Sequence, residues 1–339
     1  KLKHIVYQES LGTLYVKVER IKHIVGHLTA LAGCGDCRQK ALRVAELAKC
    51  DLVSHMVYEF PSLQGVMGEK YAQMQGEDVV VCQGIFEHYL PRFAGDKLPK
   101  NKEGAIVAIS DKLESICGCF AAGLKPTSSQ DPYALRRAAQ GIVLIILDQG
   151  FDISLSELIN YGLGLHKAES LKDEIVQFFK GRLKFVLQEN QVRYDLIDAV
   201  LAVPQEDILT TVQLGLELQK VAKRKDFNKF VDTGVRVYRL SKDAKDTNIQ
   251  DQFFAEDIER EIYILIQSSE ALIEDSLNHK KYKEVVEDLY KLAEPVDKFF
   301  VKVLVMDEDQ NKRNNRLAIL KRLDKLFKRV GDFEKIVTS

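Results

Sequence analysis

The stretch PVDKFFVKVLVMDEDQNKRNNRLAILKRLDKLF, residues 295–327, decides the fold because it joins an apolar strip and an acidic elbow to a basic helix. Between Lys312 and Arg329 eight residues are basic and one, Asp324, is acidic. At 100° per residue the apolar and the basic residues fall on opposite arcs. The apolar arc consists of Leu320, Leu323, Leu326, Phe327 and Val330. This pattern predicts a helix with a buried face and a cationic face, and the cationic face is either simply solvated or a surface for RNA.

Helical periodicity extends over most of the chain, and we find no useful period-2 alternation and no internal repeat. Glycine and proline are concentrated before residue 165, which places a domain boundary near residues 162–167. Asp131 and Pro132 are typical of the N-cap and first position of a helix. The predicted helices are 16–31, 37–56, 78–89, 105–119, 132–149, 171–189, 194–203, 208–225, 253–277, 282–292 and 313–330.

The composition is that of a soluble globular protein, with 46% apolar and 29% charged residues among 339. The net charge of −1 gives no overall attraction to polyanions, so any RNA contact must come from local patches. Six cysteines without a signal peptide indicate free thiols in a reducing compartment. The longest apolar run, residues 142–147, is too short for a membrane helix. We therefore expect a cytoplasmic protein.

The opening stretch resembles the end of the anticodon-binding domain in the β subunit of bacterial heterotetrameric glycyl-tRNA synthetase. The matching residues are Val296, Asp297, Phe299 and Phe300 in a turn, Val305 to Asp309 in an elbow, and Arg313, Asn315, Arg316 and Leu317 in a helix. Segments 47–72, 86–99, 111–142 and 193–202 resemble the same subunit in the same order. The chain begins without an initiator Met, and the resemblance implies that it is the C-terminal half of a longer subunit.

The resemblance implies an all-α fold in three parts. These are an HD-like (His-Asp) helical domain without a metal site at 1–165, a helical connector at 166–212 and an α-helical, DALR-like anticodon-binding domain at 213–339. A working HD site needs a His, a His-Asp pair and a distal Asp that converge on metal. No histidine here is followed by Asp, and only Asp111 matches, at the distal position. We expect Asp111 to cap or hydrogen-bond, and His55 and His88 to be partly buried packing or hydrogen-bonding residues rather than metal ligands.

Other catalytic and cofactor motifs are not supported. The Cys34 and Cys37 pair has no second half with zinc-site spacing, so a metal or redox role is not favoured. No GxxxxGK[ST] motif and no adenylate-forming signature are present. The resemblance implies that ATP, Mg and glycine are handled by the separate α subunit of an α2β2 enzyme. No cofactor is expected in this chain.

The function implied is recognition and positioning of tRNA(Gly) for aminoacylation by the α subunit. The chain would then be a subunit of glycine–tRNA ligase that is inactive alone. Two alternatives remain open: an HD-type metal-dependent nucleotide phosphohydrolase, and a helical scaffold that does not bind RNA. The missing His-Asp pair argues against the hydrolase.

Candidate RNA contacts lie in three groups of basic and amide residues. Those with the chemistry to read unpaired bases are Arg313, Asn314, Asn315 and Arg316, and those expected to face phosphates are Lys321, Arg322, Lys325 and Arg329. Further candidates are Lys223 and Arg224, and Arg136 and Arg137. The alternative for Arg316 is a salt bridge to Asp307 or Asp309. At least one of Arg136 and Arg137 should be exposed or paired with an acid such as Asp131. The Lys223 and Arg224 pair matches the family's pattern, but residues 225–228 after it depart from that pattern.

Overall fold

The computed structural model describes residues 1–127, 129–203, 207–244 and 247–338. These residues form two compact units. The first contains residues 1–183 and the segment ending at Leu209, and the second contains the remaining residues from Lys184 onward. In the described part the strands are β1 (Val6–Gln8) and β2 (Gly12–Thr13), an antiparallel pair with Val6 opposite Thr13. The predicted all-α class is confirmed.

The helices of the first unit run in chain order as α1 to α8. Their bounds are α1 Leu14–Leu31, α2 Arg38–Leu47, α3 His55–Glu59, α4 Val66–Met74, α5 Val79–Glu87, α6 Lys102–Ala121, α7 Leu135–Gln149 and α8 Leu155–Gly164. Short 3-10 helices lie at Gly35–Cys37, Cys50–Val53, Pro61–Leu63 and Glu169–Leu171. Helix α9 (Lys172–Glu189) contains the division between the units.

Helix α6 lies at the centre of the first unit and packs against α1, α2, α5, α7 and α8. Its apolar residues are buried on every side, including Ile106, Ile109 and Leu113, which explains why it can contact so many neighbours. Helices α2 and α5 approach closely at Gly84. A Cβ on that residue would lie 2.6 Å from Val44 Cγ2, so the packing requires glycine there.

The second unit contains α10, α11 from Thr210 onward, and α12 to α16. Their bounds are α10 Tyr194–Ala202, α11 Ile208–Val221, α12 Phe227–Ser241, α13 Asp257–Asn278, α14 Tyr282–Lys291, α15 Ala293–Lys302 and α16 Gln310–Phe327. Helix α12 packs against α16 over an aromatic cluster, in which the rings of Phe230 and Phe327 are 5.9 Å apart and those of Phe327 and Phe333 are 5.0 Å apart. Gly234 keeps this contact close, because a Cβ there would lie 2.9 Å from Phe333.

Several predicted elements are corrected. The helix predicted at 37–56 is broken into α2, a 3-10 turn and α3, where the buried Asp51 carboxylate accepts the backbone N–H groups of Gly65 and Gly68. Helix α7 begins at Leu135, not Pro132. The Asp131 carboxylate still accepts the N–H groups of Leu135 and Arg136, although the N-cap position is Ala134.

Four helices, α4, α8, α12 and α15, were not predicted. The turn expected from Val296 to Phe300 lies within α15, where Val296, Phe299 and Phe300 are buried. None of the described helices combines the length and the hydrophobicity that a membrane crossing requires. The predicted division into 1–165, 166–212 and 213–339 stays a prediction.

Candidate nucleic-acid interface

Helix α16 has the two faces that the opening stretch predicts. It begins at Gln310 because the Asp309 carboxylate caps it, accepting the N–H of Asn311 at 2.9 Å and of Lys312 at 3.4 Å. The predicted apolar arc is buried in full, since Leu320, Leu323, Leu326, Phe327 and Val330 are all at most 4% exposed. The cationic arc must therefore be judged by its contacts with neighbouring elements.

Arg316 is buried and holds the acidic elbow against the helix. Its guanidinium donates to Glu259 at 2.8 Å, to Asp307 at 2.6 Å and to the Leu304 carbonyl at 2.9 Å. Although burial opposes the charge, these carboxylates raise the pKa of Arg316. The contacts favour the salt-bridge alternative over base reading, with Asp307 as the elbow partner and Asp309 as the helix cap.

Asn315 is also buried, and its neighbours on the helix are more accessible. The side-chain oxygen of Asn315 accepts the backbone N–H of Gln250 at 2.7 Å. Arg313 is half-buried and contacts the Gln310 side chain, whereas Asn314 is exposed. A cavity of about 400 Å³ opens at this end of α16. Its walls are formed by Asp243, Ala244, Asn248, Gln250, Phe253, Asn311, Asn314, Asn315 and Leu317.

Two of the four cations predicted to face phosphates, on α16 and just after it, pair with helix α13. Arg322 makes two hydrogen bonds to Glu270 and lies 5.3 Å from the Tyr263 ring, and Arg329 lies 2.6 Å from Glu274. Lys321 donates to the carbonyls of Ser241 and Lys242. Lys325 is exposed and has no acidic partner in the part of the chain that the structure describes. Of the four predicted phosphate contacts, Lys325 is thus the most available.

In the predicted pair at Lys223 and Arg224, one residue is held by an ion pair and the other is exposed. Arg224 makes two hydrogen bonds to Glu287 and lies 4.8 Å from the Tyr290 ring. Lys223 is exposed, and no described carboxylate pairs with it. The second group therefore offers one exposed cation and one anchored cation.

A basic groove between α12 and α15 was not predicted. It encloses about 580 Å³ and is lined by Lys229, Arg236, Glu294, Asp297, Lys298, Val301 and Lys302. Lys229 pairs with Asp297 at 3.1 Å and Lys298 pairs with Glu294 at 2.8 Å. Arg236 lies 4.1 Å from the Phe300 ring. Neither Arg236 nor Lys302 has an acidic partner among the described residues.

The groove combines basic side chains with apolar surface, because Val301 is 85% exposed beside it. The available signal was the spacing of Lys298 and Lys302 by four residues, which puts both on one side of a helix. That signal required α15 to be recognised as a helix. The sequence interpretation instead treated the segment as a turn, so the groove was missed.

Comparison with known families connects the chain with tRNA synthetases. Residues 233–333 match the family model described as DALR anticodon binding domain. Residues 1–202, more than half of the chain, match the family model described as Glycyl-tRNA synthetase beta subunit. The chain belongs to the glycyl-tRNA synthetase beta subunit family. The resemblance drawn from the opening stretch is confirmed.

Three curated relatives support this membership, each named as the glycine–tRNA ligase beta subunit. The relative from Desulforamulus reducens is 41% identical over the whole chain, which covers 50% of that relative. Those from Trichlorobacter lovleyi and Clostridioides difficile are 39% and 38% identical over 99% of the chain, covering 49% and 50% of their lengths. The chain thus spans about half the length of the curated relatives it matches.

In this beta subunit family member, the first unit contains a buried charge cluster at the position expected for an HD site. The Asp111 carboxylate pairs with Lys49 at 2.8 Å and Lys17 at 3.2 Å, and Lys17 also pairs with Glu114. Burial alone would raise the pKa of Asp111, but the two ammonium groups lower it. Asp111 lies in the middle of α6 as an ion-pair partner.

His88 belongs to the same cluster, and its two contacts show which ring nitrogen donates and which accepts. Its Nδ1 lies 2.6 Å from the Ile85 carbonyl, which can only accept, so Nε2 is the atom that accepts from Lys49 at 2.9 Å. Both the imidazole nitrogen and the carboxylate that could hold a metal instead contact an ammonium group. A divalent cation would be repelled there, and this disfavours the phosphohydrolase alternative. His55 is exposed, so the expectation of partial burial was wrong for that residue.

The other residues singled out in the first unit are the Arg136 and Arg137 pair and the Cys34 and Cys37 pair. Arg136 donates to the carbonyls of Thr127 and Gln130, and Arg137 is exposed, which confirms that at least one of this pair is accessible. Cys34 and Cys37 are free and buried, and burial raises the pKa of Cys37 to about 12. Within the described residues, no group of three or more His, Cys, Asp or Glu side chains could hold a metal ion.

Proposed function

We propose that this chain recognises tRNA(Gly) and positions it for aminoacylation by a separate catalytic α subunit. The observation that carries the proposal is the match of residues 233–333 to an anticodon-binding domain. That segment contains α16, the cavity at its N-terminal end, and every residue lining the groove beside α15 except Lys229. Reading tRNA is then a binding function that needs no reacting group on this chain.

The proposed interface makes two kinds of contact with tRNA, one to phosphates and one to unpaired bases. Phosphate contacts, which are independent of sequence, come from the exposed cations Lys223, Arg236, Lys302 and Lys325. Contacts with unpaired bases come from the N-terminal end of α16, where Arg313 and Asn314 present guanidinium and amide groups. The paired residues Arg316, Arg322 and Arg329 hold the helices that carry these groups.

Catalysis belongs to the partner in this proposal. ATP, Mg and glycine bind the α subunit, the working enzyme is an α2β2 glycine–tRNA ligase, and it acts in the cytoplasm. The chain alone should therefore give no ATP–pyrophosphate exchange and no charged tRNA. Measurable exchange by the purified chain would contradict this division of labour.

Titration of the chain with tRNA(Gly) and with a non-cognate tRNA tests the proposal. The expected result is tighter binding of tRNA(Gly), with log K falling linearly as log salt rises. A matched pair of variants separates the cations of the groove from cations elsewhere. Lys302→Glu should weaken both tRNAs, whereas the same charge reversal at the exposed Lys70 of α4, outside the matched domain, should change neither. Absence of binding by the parent chain would leave the helical scaffold as the remaining interpretation.

A further inference from the structure

Helix α3 and the 3-10 helix that follows it expose large apolar side chains to water. Together these two helices form the α3 segment, residues 55–64. Within it Met56, Tyr58 and Phe60 are 41%, 78% and 58% exposed, and Val57 alone is buried. Single exposed apolar residues are ordinary on a protein surface, but a cluster of large ones marks a site of interaction.

The α3 segment is held firmly to the rest of the first unit. Before it, the Ser54 hydroxyl accepts the backbone N–H of Val57 at 3.3 Å and caps the helix. After it, the buried Asp51 carboxylate accepts the N–H groups of Gly65 at 2.6 Å and Gly68 at 3.2 Å. The apolar side chains are therefore presented in a fixed arrangement, which lowers the entropy cost of binding a partner.

The composition of this region is that of a protein interface. Between Met56 and Gly68 the one charged residue is Glu59, in a chain of which 29% is charged. The centres of protein–protein interfaces are depleted in charge and enriched in Tyr, Phe and Met. A surface for RNA would instead need lysine or arginine to meet the phosphates. The side chains exposed here thus fit an apolar protein surface.

A large part of the subunit is available to cover these side chains. The chain spans about half the length of the curated relatives it matches, so a comparable length of polypeptide lies outside this structure. Lys1 lies near the α3 segment, as the Cys50 thiol shows. Burial raises the pKa of Cys50, and the N-terminal ammonium of Lys1 opposes that shift, an effect that requires proximity.

We infer that the α3 segment is an interface with the part of the beta subunit that this chain lacks, and that this contact buries Met56, Tyr58 and Phe60. The resemblance places the missing part before Lys1, so it would join the chain beside this surface. A contact within one subunit is permanent, and permanent interfaces are the most hydrophobic class. The inference is independent of tRNA reading.

Hydroxyl-radical footprinting tests the inference, because side chains that water reaches are oxidised faster than covered ones. The samples are this chain, the full-length beta subunit, and that subunit together with the α subunit. Met56, Tyr58 and Phe60 should react in this chain, become protected in the full-length subunit, and show no further change with the α subunit. Met74, an 84% exposed methionine of α4, is the matched control and should react equally in all three samples.

A double variant, Tyr58→Ser with Phe60→Ser, adds a second measurement. In this chain both side chains are exposed, so the variant should unfold at the same denaturant concentration as the parent. In the full-length subunit the same change should lower the melting temperature, because it removes apolar contacts with the missing part. Met74→Ser should change neither quantity.

Three results of the footprinting would overturn the inference. Protection that appears only when the α subunit is added would assign the surface to that subunit. Protection in this chain that grows with its own concentration would assign the surface to a second copy. Equal reactivity in all three samples would show that the α3 segment stays in contact with water.

Discussion

A buried cluster in the first unit and an open groove in the second use basic residues in opposite ways. In the first unit Lys17 and Lys49 are 3% and 5% exposed and are surrounded by Asp111, Glu114 and His88. In the second unit Arg236 and Lys302 are exposed along a groove, without acidic partners among the described residues. A buried, paired ammonium group holds helices together, whereas an exposed one is available to a polyanion. Charge counts in a sequence do not distinguish these roles.

The largest expected effect is on the buried cluster. Asp111→Ala leaves Lys17 and Lys49 buried with one carboxylate fewer, and breaking a buried pair in this way costs about 3–5 kcal/mol. Denaturant unfolding of the chain should therefore show a large loss of stability. The exposed Asp36→Ala should cost less than about 0.5 kcal/mol. Equal stabilities of the two variants would remove the contrast between buried and exposed charge.

The second prediction concerns the groove. Arg236→Glu combined with Lys302→Glu should weaken tRNA(Gly) and a non-cognate tRNA by a similar factor, roughly ten-fold or about 1.4 kcal/mol. The slope of log K against log salt should flatten by about 0.7 to 0.9 for each lost phosphate contact. Binding titrations at several salt concentrations measure both quantities. An unchanged slope in a folded variant would show that the groove does not contact phosphates.

The third prediction is a pH dependence of stability that arises in the first unit. Burial and the neighbouring Lys49 hold the pKa of His88 well below its ordinary value of 6.5, and burial also lowers that of His166. Asp111 and Lys112 also face His88, and burial lowers the pKa of Lys112 to about 8. Below about pH 6.5 these histidines bind protons in the unfolded chain but stay neutral in the folded chain, because their pKa values are lowered there. Protonation therefore favours the unfolded state, and the free energy of unfolding falls as pH falls.

The expected slope is up to about 1.4 kcal/mol per pH unit for each histidine. Denaturant unfolding between about pH 5 and pH 7 measures it. His88→Gln should remove one histidine's share of the slope, whatever its effect on stability at neutral pH. The Asp111 carboxylate does not contribute in this window, because its lowered pKa affects stability only below the ordinary aspartate range. A slope unchanged by His88→Gln would contradict the assignment.

The smallest effects are expected on α16 itself. Arg322→Ala removes a partly exposed pair with Glu270 and should cost at most about 1 kcal/mol of stability, with little change in tRNA affinity. Lys325→Ala should show the reverse, a few-fold weaker binding at unchanged stability. Melting temperatures and tRNA titrations on the two variants compare them directly. Weaker binding by Arg322→Ala alone would mean that the pair opens to meet RNA.

The sequence predicted the helical class and the two faces of α16, because a 3.6-residue apolar period is a local property. It could not predict that Glu270 and Glu274 on α13 would meet Arg322 and Arg329, since those pairs depend on how two distant helices pack. Arg316 illustrates the same point. Its direction toward the apolar side was readable, but Glu259 as a partner was not.

Local signals also failed where a tertiary contact overrides them. The periodicity of 37–56 favoured one helix, yet the Asp51 carboxylate binds two backbone N–H groups and ends it. The sequence interpretation placed Phe299 and Phe300 in a turn, but both residues are buried within helix α15. The groove beside α15 follows from these packing relations, which explains why it was not predicted as a site, whereas Asn314 and Asn315 beside the cavity were among the predicted contacts.

The most direct test of the account is nuclease protection of tRNA(Gly) by the chain. The account predicts that the anticodon loop becomes protected, and that the Arg236→Glu/Lys302→Glu variant loses this protection in parallel with its loss of affinity. Protection confined to the acceptor stem, with the anticodon loop cleaved as in free tRNA(Gly), would contradict the claim that the second unit reads the anticodon.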